Sequence, residues 1–505
     1  MAKKVKKKAH MLGFCQHGVN SHATGMWRHV KDKINWDWRR PPYWQHMGQT
    51  MERGFFDAMF IADELAPYNN VDGKSDECVK WAVQCPVHEP STIVPIITTA
   101  TKHLGVGVTL STAFEHPYSM VRRLSSLDHL SDGRVAWNIV SSYSKSEWDA
   151  YGADMTMRYD RYARMEEYME LCYKLWDSWE EDAIIADKAS GIFADPAKVH
   201  EVNHEGEFFK SKGRAFTCRS PQWRPVLWQA GSSDRGRDFA SKHAEAIFAV
   251  HPSVERMREY TDDLDGRLRN KYNREPGSVK RIYGLQTCVA ETRSEAEDKW
   301  ERIKANIPLE GALAWISGHF GPDFTKFKLD DIVQNIEIPG IQGLFESVIH
   351  SKGGAPVTVK EGALYYAQGM GMPIACGTAA DIADQMEYYM DEGGADGFML
   401  AATYTPGCFE EFVDFVVPEL QRRGRLRTEY RYSTLRENLL EADDEQPVAH
   451  EIKNKQRATT ARTQQAVPHK PDASPSVKPK KHRDAVASKK SRSINKRESA
   501  GGSRG

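Results

Sequence analysis

The sequence predicts an α/β chain folded as a (β/α)8 TIM barrel with long insertions capping its C-terminal face. Three observations carry this expectation: eight short apolar runs, amphipathic stretches between them, and polar residues gathered where the runs end. Several runs are nearly unbroken by polar residues, as parallel strands covered on both faces require. Their alternation with helical pattern selects the α/β class, and eight of them suit a closed barrel better than a doubly wound sheet.

Strands are expected, in order, at 11–14, 58–62, 105–112, 135–140, 226–230, 246–250, 282–289 and 397–401. Helical pattern covers 43–53 before the second, 118–130 before the fourth and 235–242 before the sixth. The second strand runs into Asp63-Glu64, and the third holds Thr109, Ser111 and Thr112. The fourth runs out through Ser141, Ser142 and Tyr143, the fifth through Gly231, Ser232 and Ser233. The sixth reaches His251, and the eighth reaches Thr403 and Tyr404. Barrels build active sites at this end of their strands, although polar loops also follow strands in inert domains. The connections 144–224 and 291–396 are too long for simple loops and contain helical pattern at 160–176 and 378–390. Segments of that length rising from the active face cap it. The stretch 308–371, rich in Gly and aromatics, is the expected lid.

The chain has 505 residues, 40% of them hydrophobic, with 69 Lys+Arg against 70 Asp+Glu. At about 150 residues per domain this length allows roughly three domains, but one barrel absorbs most of it. A mean hydropathy of -0.61 argues against a membrane-spanning helix, as does the lack of any apolar run of about 18 residues. Residues 1–10 are basic with no apolar stretch behind them, so no secretory signal is expected. The near-zero net charge hides a division. From residue 451 onward there are 15 Lys+Arg and four acids, an excess of 11 positive charges, which leaves -12 on the first 450 residues. No Leu, Phe, Tyr or Trp follows Leu440. Such a stretch cannot bury enough apolar surface to offset its ordering entropy, so 441–505 is expected to be a disordered basic tail behind a barrel at 11–440. Within it, Lys478-Pro479-Lys480-Lys481-His482-Arg483 and Lys489-Lys490-Ser491-Arg492 resemble a split nuclear-import signal, or form a solvated basic run with no receptor. An intracellular, cytoplasmic protein is expected, with the nucleus left open by the tail. The eight cysteines are scattered without a Cys-x-x-Cys, so reduced thiols and no metal site are expected.

A set of strings in fixed order then narrows the field. They are Gly25-Met26-Trp27-Arg28-His29, Glu52-Arg53-Gly54-Phe55-Phe56-Asp57, and Leu127-Asp128-His129-Leu130-Ser131-Asp132-Gly133-Arg134. Trp137-Asn138-Ile139-Val140-Ser141-Ser142, Arg158-Tyr159-Asp160, Gln229-Ala230-Gly231-Ser232-Ser233-Asp234-Arg235-Gly236 and Gly394-Ala395-Asp396-Gly397-Phe398 follow. With these the chain resembles the flavin-dependent monooxygenases of the bacterial-luciferase-like superfamily. The resembling branch holds nitrilotriacetate, dibenzothiophene-sulfone, dimethyl-sulfide and long-chain-alkane monooxygenases, and the likeness covers about 11–440. It implies a barrel that borrows reduced FMN from a separate NAD(P)H-dependent flavin reductase. Reduced FMN and O2 then form a flavin hydroperoxide that oxygenates a small organic substrate, while the protein supplies a shaped, water-poor site. No Gly-x-Gly-x-x-Gly follows a strand, which fits a flavin user that does not itself hold NAD(P)H. Homo-oligomers are usual among proteins that look like this one.

By the same resemblance Asp63 contacts the flavin ring, Thr109 and Ser142 lie beside the flavin, and Tyr159 bonds its phosphate or ring edge. Ser232 and Ser233 stand at a strand-to-helix turn, where free N–H groups attract phosphate; Ser233 is the better placed of the two. Each has a plainer alternative: capping for Asp63 and Ser233, packing for Thr109 and Tyr159, a strand-to-loop turn for Ser142. His22 is the expected polar group at the reacting oxygen, as hydrogen-bond donor or acid/base, with a structural imidazole as the alternative. Tyr143 is placed at the substrate pocket, and Trp315 either lines it from the lid or is an ordinary core tryptophan. Two departures stand out. Relatives often carry His four residues before the Tyr159 position, where this chain has Met155. Tyr143 stands where alkane-oxidising relatives carry His, which weakens transfer of their substrate class.

Two other functions compete. A deazaflavin-dependent oxidoreductase shares the barrel but few of the strings. A nucleic-acid-associated protein is suggested by the tail, which lacks aromatics for base stacking and licenses only nonspecific electrostatic contact.

Overall fold

The computed structural model describes residues 6–19, 22–33, 37–153, 161–231 and 233–440. Met155, Tyr159, Ser232 and the expected tail at 441–505 lie outside the described residues. Eight parallel strands close into a barrel: β1 (His10–Gln16), β2 (Ala58–Ala62), β3 (Gly105–Ser111), β4 (Val135–Val140), β5 (Val226–Ala230), β6 (Ala246–Ala249), β7 (Lys280–Val289) and β8 (Gly397–Ala401). Each pairs with the next, and β8 returns to β1 with Met11 opposite Phe398. These are the eight strands expected from the apolar runs, with ends shifted by one or two residues.

A ninth strand, Ile374–Gly377, was not expected; it pairs with the far half of β7, from Gln286 to Val289. Four residues ending at the helix cap Thr378 leave too short an apolar run to read as a strand. The long connections fold as helices and hairpins, among them Arg161–Trp176, Leu309–Phe320 and Val359–Ala367.

Unbroken apolar strands follow from burial on two sides. Met11, Met59, Val106, Trp137 and Leu285 pack outward against helix residues such as Met47, Ile97 and Leu124. Their strand neighbours Leu12, Phe14, Phe60, Trp228 and Met399 fill the barrel interior. There Phe60 stacks on Trp228 with ring centroids 5.8 Å apart. Gly107 on β3 makes room for that indole, because a Cβ there would sit 2.0 Å from it.

The residue just before each even-numbered strand is charged and buried: Asp57, Arg134, Glu245 and Asp396. Asp57 accepts the Met11 N–H (2.8 Å), Glu245 the Leu227 N–H (2.9 Å) and Asp396 the Arg281 N–H (2.8 Å). Each acid also holds a guanidinium, from Arg427, Arg436 and Arg281 respectively. Arg134 instead donates to the carbonyls of Thr98, Thr101, Leu104 and Ser131. Burial pushes the Asp57 carboxyl up, but Arg427 and His10 overcome it and hold the group below its usual range. Arg427 and Arg436 belong to the segment after the last strand, where helix Leu435–Leu440 sends Leu435 and Leu439 into the barrel interior.

Removing one partner of a buried ion pair leaves the other charge uncompensated. Asp57→Asn is therefore expected to cost about 3 kcal/mol at pH 7. The wild-type advantage exists above the unfolded carboxyl pKa and is lost as pH falls through the depressed folded value. The deficit should accordingly close as the pH drops below about 4, as urea unfolding of both proteins across pH 3–7 would show.

Candidate functional site

A cavity of about 520 Å³ opens at the C-terminal mouth of the barrel. Strand ends supply Asp63 and Glu64 after β2, residues 139–143 of β4 and beyond, residues 229–231 from β5, and residues 248–250 from β6. The first long connection adds Glu147, Arg161, Tyr162 and Met165. The expected lid adds His319, residues 339–344 and Met370. Both long insertions thus cap the mouth.

One end of the cavity gathers groups that suit an anion. Ser233 caps the ten-residue helix Asp234–His243 and accepts the Gly236 N–H at 3.1 Å. The Tyr162 hydroxyl lies 3.5 Å from Ser233 Oγ. The guanidiniums of Arg161 and Arg235 stand 5.4 and 5.8 Å from the Tyr162 ring centroid. A Cβ on Gly231 would fall 3.3 Å from the Gly236 Cα, so two glycines let the backbone fold tightly under the helix end. Helix N-termini with adjacent arginines favour phosphate. Beside this cradle Gln229 lines the cavity with its buried side-chain oxygen lacking a hydrogen-bond partner. Such an acceptor calls for a donor from a bound group. These residues fit a phosphate-bearing ring cofactor such as FMN.

Carboxyls line another part of the wall. Glu147 Oε1 accepts the Leu65 N–H at 3.1 Å, and the hydroxyls of Tyr68 and Tyr143 reach Glu64. Burial, reinforced by Glu89 and Glu147, pushes Asp63 up to about 8. Burial and Glu147 raise Glu64 well above the carboxylate range. Burial also raises Glu147, against the opposing hydrogen bonds from Leu65 and Ser142. No Lys or Arg forms an ion pair with these three acids among the described residues.

Behind them lies a buried aromatic and imidazole cluster. The Tyr68 hydroxyl is 2.7 Å from both Gln84 Oε1 and His319 Nε2, and His319 Nδ1 is hydrogen-bonded to the Tyr366 hydroxyl. Trp315 Nε1 donates to Gln84 at 3.2 Å. Burial, then His22, hold the His319 pKa down to about 3, so its imidazole is neutral and acts through hydrogen bonds rather than charge.

Of the residues singled out in the sequence, Asp63, Ser142, Tyr143 and Ser233 line the cavity together. Ser142 takes a left-handed φ of 50° and sets its hydroxyl 2.8 Å from that of Ser111, a strained backbone of the kind that collects at working sites. Thr109 is not in the cavity wall, and its hydroxyl accepts from Asn138 Nδ2 at 3.0 Å. Trp315 is fully buried beside His319 rather than in the wall; His319, one helical turn on, lines it. His22 is also outside the wall, with φ 71° and its ring stacked 3.8 Å from Phe14. Cys15 faces the outer core, and His17 Nδ1 is tied to the Glu89 carbonyl at 3.0 Å. Tyr159 and Ser232 lie outside the described residues.

Sequence reasoning passed over Glu64, Glu147, Arg161, Gln229 and His319. Glu64 and Gln229 sat in strings already noted at strand ends. His319 carried one signal, a lone imidazole closing the otherwise apolar helix Leu309–Phe320 of the expected lid. Glu147 and Arg161 carried none.

A closed parallel barrel with a lidded cavity at its strand C-termini has the architecture on which barrel enzymes build their active sites. The chain belongs to the luciferase-like monooxygenase family, whose model matches residues 16–397. A long-chain alkane monooxygenase of Geobacillus thermodenitrificans is 38% identical over 435 residues, covering 86% of this chain and 94% of the relative. A dimethyl-sulfide monooxygenase of Hyphomicrobium sulfonivorans is 38% identical over 442 residues, covering 87% and 92%. The crystal structure of DmoA from Hyphomicrobium sulfonivorans aligns with a TM-score of 0.81 at 37% identity, over 86% of this chain and 92% of that one. A riboflavin lyase structure with modified FMN and riboflavin aligns at 0.79 and 32% identity, over 86% and 96%. The protein is a monooxygenase of the flavin-dependent kind.

Because Asp63 keeps a proton in the fold that the unfolded chain releases above pH 4, its burial lowers stability progressively from about pH 4 to about pH 8. Asp63 is half-buried, so solvent screening reduces the effect. Asp63→Asn is expected to be more stable than wild type at pH 8 by on the order of 1 kcal/mol. The gain should vanish near pH 4, as denaturant unfolding at the two pH values would reveal.

Proposed function

We propose that this chain is the oxygenating component of a two-component system, taking reduced FMN from a separate NAD(P)H-dependent flavin reductase and using O2 to oxygenate a small organic substrate. The phosphate cradle opening into a lidded cavity carries this reading. Ser233, Tyr162 and Arg161 would hold the phosphate, with Gln229, Ser142 and Asp63 on the ring side. Tyr159, Ser232 and Thr109 join them by resemblance alone. When bound, reduced FMN supplies the electrons with which one oxygen atom of O2 enters the substrate and the other leaves as water.

The chain's own residues shape the surroundings of that chemistry. Ile341, Leu344 and Met370 from the lid cover the mouth and exclude water. His319, kept neutral with its two ring nitrogens held by Tyr68 and Tyr366, contributes to the cavity wall without adding charge. On this reading residues 11–440 form the catalytic part, and the 441–505 segment is set apart from it by its basic composition.

The test has two arms. Anaerobic titration should show reduced FMN binding weakened about tenfold or more by Arg161→Ala, while riboflavin, which lacks the phosphate, binds both proteins alike. Equal loss for the two ligands would remove the phosphate cradle. In the second arm, protein, flavin reductase, NADH and FMN are supplied with 18O2 and dimethyl sulfide or hexadecane. One labelled oxygen atom should appear in the product only when the reductase is present. Hydrogen peroxide as the sole product with every substrate tried would count against the reading.

A further inference from the structure

The protein handles buried acids in two opposite ways. At the N-terminal ends of the strands Asp57, Glu245 and Asp396 each hold an arginine. At the mouth Asp63, Glu64 and Glu147 hold none among the described residues, although all three line one cavity. Arg161, the one Lys or Arg in that cavity wall among the described residues, sits with Tyr162 at the Ser233 end and is not among the charges acting most strongly on the three acids.

We infer that the cavity selects an uncharged organic substrate and rejects carboxylate-bearing ones, with Glu64 and Glu147 as the specificity-determining residues. The inference rests on the proposed function, which makes this cavity the substrate site. A substrate carboxylate placed there would be buried without a cation and beside two or three acids. Rejection by an unpaired like charge is a common source of specificity. An uncharged molecule meets no such penalty. Its apolar body packs on Phe248, Val250, Leu344 and Met370, and an acceptor oxygen can take a hydrogen bond from the Tyr143 hydroxyl.

Octanamide and octanoate share size and shape but differ in charge, which makes them a matched pair of probes. Their dissociation constants are measured by anaerobic equilibrium dialysis against the full chain at pH 8, with reduced FMN present and with it omitted. Wild type should bind octanamide at least about tenfold more tightly than octanoate. In Glu64→Gln, Glu147→Gln and the double variant the ratio should fall stepwise to within about threefold, through tighter octanoate binding. A wild-type ratio near one overturns the inference, as does a ratio that persists in all three variants. Dialysis of reduced FMN itself reports separately on the cofactor reading. Absence of flavin binding beside a large amide preference would sink that reading and leave the charge selection standing.

Discussion

The fold depends on ion-paired acids seated at the bottom of the barrel. Asp57, Glu245 and Asp396 each take a backbone N–H from a neighbouring strand and an arginine side chain, so strand register and charge neutralisation are set by the same group. Two of the arginines come from the segment after β8, and the same segment puts Leu435 and Leu439 into the barrel. The floor is thereby sealed by residues more than 190 positions distant from their partners. Buried pairs of this kind are weak sources of net stability but strong sources of specificity for one arrangement when both partners are present.

With the floor closed, the mouth is free to carry groups that disfavour folding. Asp63, Glu64 and Glu147 are the same residue types as the floor acids, yet burial drives their proton affinity the other way, with no arginine paired to them among the described residues. A like contrast holds for imidazoles. His10 lies 3.0 Å from the Asp57 carboxylate, whereas His319 is ringed by tyrosines, tryptophan and a glutamine and stays neutral. Perturbed titrations concentrate at working sites because chemistry needs groups held away from their solution state. The strained backbones of Ser142 and His22 belong to the same pattern, in which local cost near the mouth is offset by the paired, well-packed remainder.

Legibility in the sequence followed the distance between cause and effect. Strands were readable because a residue buried on either face must be apolar, a demand met within five or six consecutive positions. Asp63, Ser142, Tyr143 and Ser233 were readable because a residue just beyond a barrel strand is carried to the mouth by the strand itself. Trp315 stayed open between wall and core and His319 gave little sign, since which side of the helix Leu309–Phe320 faces the cavity depends on how the insertion packs. Thr109 illustrates the same limit: its hydroxyl is engaged by Asn138 from the adjacent strand.

By itself the sequence determined the eight strands, the helices between them, the family strings and the division between an acidic barrel and a basic end. Those features are local: they need only the periodicity of burial and the order of short motifs. The tertiary structure alone decided which acids are paired and which are not, that Arg161 joins Ser233, and that His319 stands among Tyr68, Gln84 and Tyr366. Charge state and hydrogen bonding are set by neighbours within a few ångströms, and in this barrel those neighbours come from insertions and strand ends far apart in the chain.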